Sequence, residues 1–165
     1  MFDAVLFDLD GTLADTAPDL CGTVNILLTE EGRPQQPFAS LRPHTSQGVR
    51  GLLDQGFGID SAHHEYERLA ARFLEIYAGQ LCDLSRLFDG IPDLLDVLES
   101  HGIAWGIVTN KRARYTEPLV AALGLVPRTR CVVSGDTTAE AKPSPLPILH
   151  ACQILRCLPQ RTLYV

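Results

Sequence analysis

AVLFDLDGTLADT, residues 4–16, decides the fold. Its first five residues, AVLFD, form a short apolar run closed by a glycine-containing turn, the pattern of a buried strand. The run delivers Asp8 and Asp10 at its carboxyl end. Side chains two positions apart along an extended chain point to the same side, so both carboxylates face one crevice. Two like charges so close repel, and a bound cation relieves the repulsion. Asp8 is then a candidate nucleophile, and Asp10 a candidate to protonate a leaving oxygen and later take a proton from water. Gly11 permits the tight turn, and Thr12 can hydrogen-bond within it. An isolated Asp-x-Asp-Gly is an ordinary turn; the apolar strand before it and the Leu-x-Asp-Thr after it favour chemistry.

Downstream, the punctuation changes from strand to helix. Thr16 and Pro18 suit a helix start, and Leu20, Val24, Leu27 and Leu28 recur at helical spacing until Gly32. Residues 33–86 carry a Pro-punctuated connection and amphipathic segments around 47–57 and 62–78, with no convincing strand. They read as an all-helical insertion. GIPDLLDVLESHG (90–102) places Ile91, Leu94, Leu95 and Leu98 on one helical face, and AWGIVTN (104–110) follows as a strand ending in polar residues. The alternation continues with a helix over 115–123 closed by Gly124, a strand over 131–133, a helix over 145–155 and a last strand, TLYV, at 162–165. Four strands alternating with helices imply an α/β fold with a doubly wound parallel, Rossmann-like sheet. Ligands of such sheets bind outside the carboxyl ends of the strands.

The bulk properties narrow the function. The chain has 165 residues, 45% of them hydrophobic, enough for one substantial core and a small insertion. A formal net charge of -6 with scattered Lys and Arg argues against a nucleic-acid partner, although a metal and one or two cations still allow a small anionic substrate. Five cysteines without a Cys-x-x-Cys pair suggest neither a disulfide framework nor a zinc site. His44, His101 and His150 have no carboxylate or Cys partner at ligand spacing, and His63 and His64 sit in a polar stretch. No apolar run reaches bilayer length and no basic leader precedes the first strand, so the expectation is a cytoplasmic protein with no membrane partner. Oligomeric state is not legible.

With these residues in order, the chain resembles the haloacid dehalogenase superfamily, whose phosphatases carry Asp-x-Asp-Gly-Thr after the first strand. The resemblance implies a core of residues 1–18 and 87–165, with residues 19–86 forming a small helical cap that closes over substrates. It implies Thr109 and Asn110, after the second strand, and Lys142, in EAKPSP, as holders of the phosphoryl oxygens, with Gly11 in the phosphate loop and Lys142 also restraining Asp8. Donors of this kind suit a phosphoryl-transfer transition state. Magnesium is the implied cofactor, held through Asp8 and Asp10. Arg50, in the SQGVRGLL segment beside Ser46 and Gly48, is a candidate for a substrate carboxylate; Lys111 and Arg112 are further cations beside Thr109. LFDGIPDLL, WGIVTNK, EPLVAALGL and KPSPLPILHAC are most similar to the branch of bacterial phosphoglycolate and N-acetylmuramic acid 6-phosphate phosphatases. A small phosphorylated metabolite is the implied substrate, hydrolysed through an aspartyl phosphate.

Family members follow the fourth strand with an acidic loop that supplies a third metal ligand. The sequence stops at Val165, so the expectation is a C-terminally truncated chain with weakened magnesium binding and TLYV as a poorly protected edge. Two other readings use the same residues. A phosphomutase would return the phosphoryl group to a sugar, and an inactive phosphate-ligand binding module would follow from the absent acidic loop. A dehalogenase leaves Asp10 and the Gly-Thr turn without a task.

Overall fold

The computed structural model describes residues 2–165. The chain separates into two compact units. One comprises the residues up to Asp15 together with Arg86–Val165, and the other is Thr16–Ser85. The units therefore divide at 15/16 and 85/86, against expected boundaries at 18/19 and 86/87.

The first unit is built on a parallel sheet of β1 (Ala4–Phe7), β4 (Ala104–Val108), β5 (Val132–Val133) and β6 (Thr162–Tyr164), in the order β5-β4-β1-β6. Every residue of β1 is buried, as a strand covered on both faces requires. Ala4 pairs with Ala104 on one side and Thr162 on the other, so β1 is interior and β6 an edge. Gly106 allows β4 to approach the next strand closely: a Cβ there would stand 2.9 Å from the Cβ of Cys131 and 3.3 Å from Leu6. Trp105 is a core residue, with its ring edge-on to Phe7 at 6.4 Å and its indole N–H donating to Glu99 at 3.0 Å.

The helices follow the expected alternation. α5 (Ile91–Ser100) packs on β4, α6 (Ala113–Ala122) precedes β5, and α7 (Leu146–Leu155) lies against β1, β4 and β5. One detail of the amphipathic reading changes: Leu95 and Leu98 are buried in α5, whereas Leu94 is 41% exposed. The α5 stripe is thus narrower than the four residues expected. Leu6, Val108, Cys131, Val133, Ala151 and Cys152 form one core cluster. All five cysteines are free thiols.

A feature absent from the sequence reading is a short antiparallel ribbon, β2 (Ala14–Asp15) paired with β3 (Arg86–Leu87). Two residues per strand are too few to generate a periodic signal. The ribbon brings together the two points where the chain leaves and re-enters the sheet-bearing unit.

The second unit is helical. It comprises α1 (Ala17–Glu30), the short α2 (Phe38–Leu41), a 3-10 segment (Arg42–Gln47), α3 (Gly48–Phe57) and α4 (Tyr66–Gly79). Leu20, Val24, Leu27 and Leu28 are the buried face of α1, and Leu52, Leu53, Leu69, Phe73 and Tyr77 complete its apolar interior. Gly32, at φ 67°, closes α1 where the N–H of Arg33 reaches back to Leu28 O at 2.8 Å. Asp19 is buried and accepts from the N–H groups of Leu84 and Ser85, both at 2.8 Å, and from the Ser85 hydroxyl at 2.5 Å. This carboxylate ties the first turn of α1 to the last residues of its own unit.

Candidate active site

The chain turns abruptly after β1. The N–H of Gly11 donates to Ala14 O at 2.8 Å and that of Ala14 to Leu9 O at 3.0 Å, closing the Asp8–Ala14 loop on itself. Gly11 holds φ 80°, which a side chain rarely adopts. Asp8 and Asp10 project from this loop, each partly exposed, while Leu9 between them is buried. The alternation that places both carboxylates on one side is therefore continued beyond the last residue of β1. The Asp8 carboxylate accepts from Leu9 N–H at 2.8 Å, and its own N–H donates to Val165 O at 2.9 Å.

Two lysines meet the two aspartates. Lys142 Nζ lies 3.0 Å from Asp8 Oδ1, and Lys111 Nζ lies 3.2 Å from Asp10 Oδ1. The ammonium of Lys142 also donates to Val108 O at 2.8 Å and to the Tyr164 hydroxyl at 2.5 Å. Asn110 holds the main chain of Lys142 from both sides: its amide N–H donates to Lys142 O at 3.0 Å, and its amide oxygen accepts from Lys142 N–H at 2.9 Å. The Asn110 side chain is thus engaged in fixing the lysine loop. Thr109 is buried at the end of β4, with its N–H on Val133 O at 2.9 Å and its hydroxyl oxygen accepting from Lys111 N–H at 3.2 Å.

The loop after β5 completes the support. The N–H of Gly135 donates to Lys111 O at 2.9 Å, and Asp136 accepts from the first N–H of α6, that of Ala113, at 2.8 Å. A Cβ at position 135 would stand 2.2 Å from Asn110 O, so only glycine allows this loop to lie against the 109–111 segment. Sequence reasoning passed over Ser134-Gly135-Asp136 and Tyr164; a Gly-Asp directly after a strand was the available signal for the former. Arg50 lies exposed on α3, in the helical unit, and Ser46 is exposed in the preceding 3-10 segment.

The sheet-bearing unit therefore gathers Asp8, Asp10, Thr109, Asn110, Lys111 and Lys142 at the carboxyl ends of adjacent strands, where parallel sheets bind ligands. The model of the haloacid dehalogenase-like hydrolase family matches residues 5–165, a span that includes all six. The chain belongs to this family. It is 40% identical over 162 residues to the N-acetylmuramic acid 6-phosphate phosphatase of Pseudomonas aeruginosa, covering 98% of this chain and 72% of that one. It is 43% identical over 163 residues to a phosphoglycolate phosphatase of Xanthomonas campestris pv. campestris, covering 98% of this chain and 73% of the relative. Among solved structures, one from Haemophilus somnus 129PT, described as a predicted phosphoglycolate phosphatase, superimposes with a TM-score of 0.83 at 26% identity, covering 99% of this chain and 76% of that one. The enzyme class is that of the family's phosphatases, the phosphoric monoester hydrolases. Among the described residues no helix is long and apolar enough to cross a membrane.

The donor set fits magnesium in one respect. Asp8 offers a hard carboxylate oxygen and Asp10 its main-chain carbonyl, and magnesium is commonly held by one or two carboxylates with water and substrate phosphate filling its shell. No cluster of three or more His, Cys, Asp or Glu suited to a metal occurs among the described residues.

Proposed function

We propose that the chain hydrolyses a small phosphomonoester, with magnesium, through an aspartyl phosphate on Asp8. The observation that carries this reading is the Asp8–Lys142 pair at 3.0 Å, with the Lys142 main chain clamped by Asn110. An ammonium fixed beside a carboxylate leaves that carboxylate aimed into the crevice and offers positive charge where an anionic phosphoryl group arrives.

The steps follow from that arrangement. Asp8 attacks phosphorus in line and the bond to the leaving oxygen breaks, with Asp10 supplying the proton to the departing alkoxide. Water then attacks the acyl phosphate, Asp10 takes its proton, and phosphate leaves with Asp8 regenerated. Thr109 and Lys142 contribute donors to the phosphoryl oxygens; Asn110 acts on them through the loop it holds. Asp8 and Asp10 would hold magnesium, which supplies charge neutralisation for the phosphoryl oxygens when bound. The helical unit is read as the substrate cap, with Arg50 a candidate contact to a substrate carboxylate. Two of the relatives act, by their names, on phosphoglycolate and on N-acetylmuramic acid 6-phosphate, and both compounds pair a phosphomonoester with a carboxylate. That shared chemistry supports a small phosphorylated acid as substrate.

The test is phosphate release from phosphoglycolate, N-acetylmuramic acid 6-phosphate and a generic aryl phosphate, with magnesium and with excess chelator. Magnesium-dependent release that favours the phosphorylated acids is expected. Transfer of the phosphoryl group to a second sugar hydroxyl without free phosphate would identify a mutase instead, and no turnover of any of the three would overturn the reading.

A further inference from the structure

The Lys142 ammonium has three N–H donors, and three acceptors already surround it: Asp8 Oδ1 at 3.0 Å, Val108 O at 2.8 Å and Tyr164 Oη at 2.5 Å. A phosphoryl oxygen that is to be held by Lys142 has to replace one of them. The lysine cannot make room by shifting its loop, because Asn110 engages both the N–H and the C=O of its main chain.

The three acceptors are not equally replaceable. Val108 is fully buried in β4, and its carbonyl is fixed by the backbone of an interior strand. Asp8 carries a negative charge, so its contact with the ammonium is an ion pair, whereas Val108 and Tyr164 offer neutral oxygens. Tyr164 is neutral, and its hydroxyl is carried on a side chain and not fixed in the backbone of a strand.

We infer that Tyr164 is a positioning residue that occupies the phosphate-directed donor of Lys142 in the substrate-free protein and yields it to a phosphoryl oxygen on binding. This inference rests on the functional reading above, since it takes Lys142 to be a phosphoryl ligand. Its consequence is counter to the usual effect of deleting a hydrogen bond: removing the hydroxyl should tighten anion binding, because no contact has to be broken first. A net hydrogen bond of ordinary strength corresponds to about a two- to tenfold change in affinity.

The experiment is calorimetric titration of inorganic phosphate, with magnesium, into the wild-type chain and Tyr164→Phe, together with KM and kcat for an aryl phosphate. The expected result is a phosphate dissociation constant lower by about two- to tenfold in the variant, with KM falling in step and no matching rise in kcat. Tyr164→Leu, which also lacks the hydroxyl, should shift phosphate affinity in the same direction. Wild-type turnover with phosphate affinity unchanged or weakened in Tyr164→Phe would overturn the exchange and leave the phosphatase reading standing. A wild-type chain that neither binds phosphate nor hydrolyses the ester would overturn both.

Discussion

Asp19 shows how much a single side chain can carry when it is buried and saturated. Its carboxylate sits in the first turn of α1, where negative charge suits the helix N-terminus, and it accepts from two main-chain N–H groups and one hydroxyl at residues 84–85. Asp19→Ala removes all three acceptor contacts and leaves buried donors unsatisfied. The expected cost is about 2–4 kcal/mol, read as a lower midpoint in urea unfolding. At this same scale the sequence was legible for Asp8 and Asp10, because they stand just after a strand that its apolar residues announce, whereas Lys142, in the loop well beyond β5, was pointed to only by the resemblance to the family. It was not legible for Asp19 or Tyr164. An Asp at the start of a helix is ordinary, and a Tyr in TLYV is an ordinary strand residue; their tasks depend on partners 65 and 22 positions away. Asn110 falls between these cases, since its position was readable while its bonds to Lys142 were not.

Between elements, α1 and α4 are joined on the outside of the helical unit by a ladder of ion pairs. Arg72 meets Glu30 at 2.7 Å and Glu75 at 3.0 Å, and Arg68 meets Glu31 and Glu65, each at 2.6 Å. Hydrogen bonds from the two arginines hold Glu30, Glu31 and Glu65 below their ordinary value of 4.5. Groups with depressed pKa bind fewer protons folded than unfolded, so their contribution is fully present above that ordinary value and is lost as the pH falls below it and through the lowered folded value. These side chains are exposed, and salt screens them. Thermal unfolding should therefore show a helical-unit midpoint that is level from pH 8 to about 6, declines below about 5, and falls slightly when salt is raised at neutral pH. A midpoint insensitive to both would assign the junction to its apolar interior of Leu27, Leu28, Leu69 and Phe73 alone. Helical periodicity made α1, α3 and α4 readable, whereas the β2–β3 ribbon was beyond it, since two-residue strands are defined only by their pairing.

Over the whole molecule, the division of labour follows the path of the chain. A sheet-bearing unit is entered, left after Asp15 and re-entered at Arg86, so the residues that meet at the site come from both ends of the sequence. Asp8, after β1, and Lys142, after β5, stand 3.0 Å apart in a sheet of order β5-β4-β1-β6; a parallel sheet was expected from strands alternating with helices, its order was not. Fold class was thus readable from local patterns, while the pairing of each aspartate with its own lysine required the assembled sheet. The family match spans residues 5–165, and ligands of a parallel sheet meet the carboxyl ends of its strands, where Asp8 stands. The most direct measurement is acid quenching of magnesium-supported turnover, followed by mass spectrometry of the peptide that contains Asp8. The expected result is a phosphoryl adduct on Asp8 that is absent without substrate and absent in Asp8→Asn. Continued turnover by Asp8→Asn at the wild-type rate, or a phosphoryl adduct confined to a different residue, would contradict the assignment.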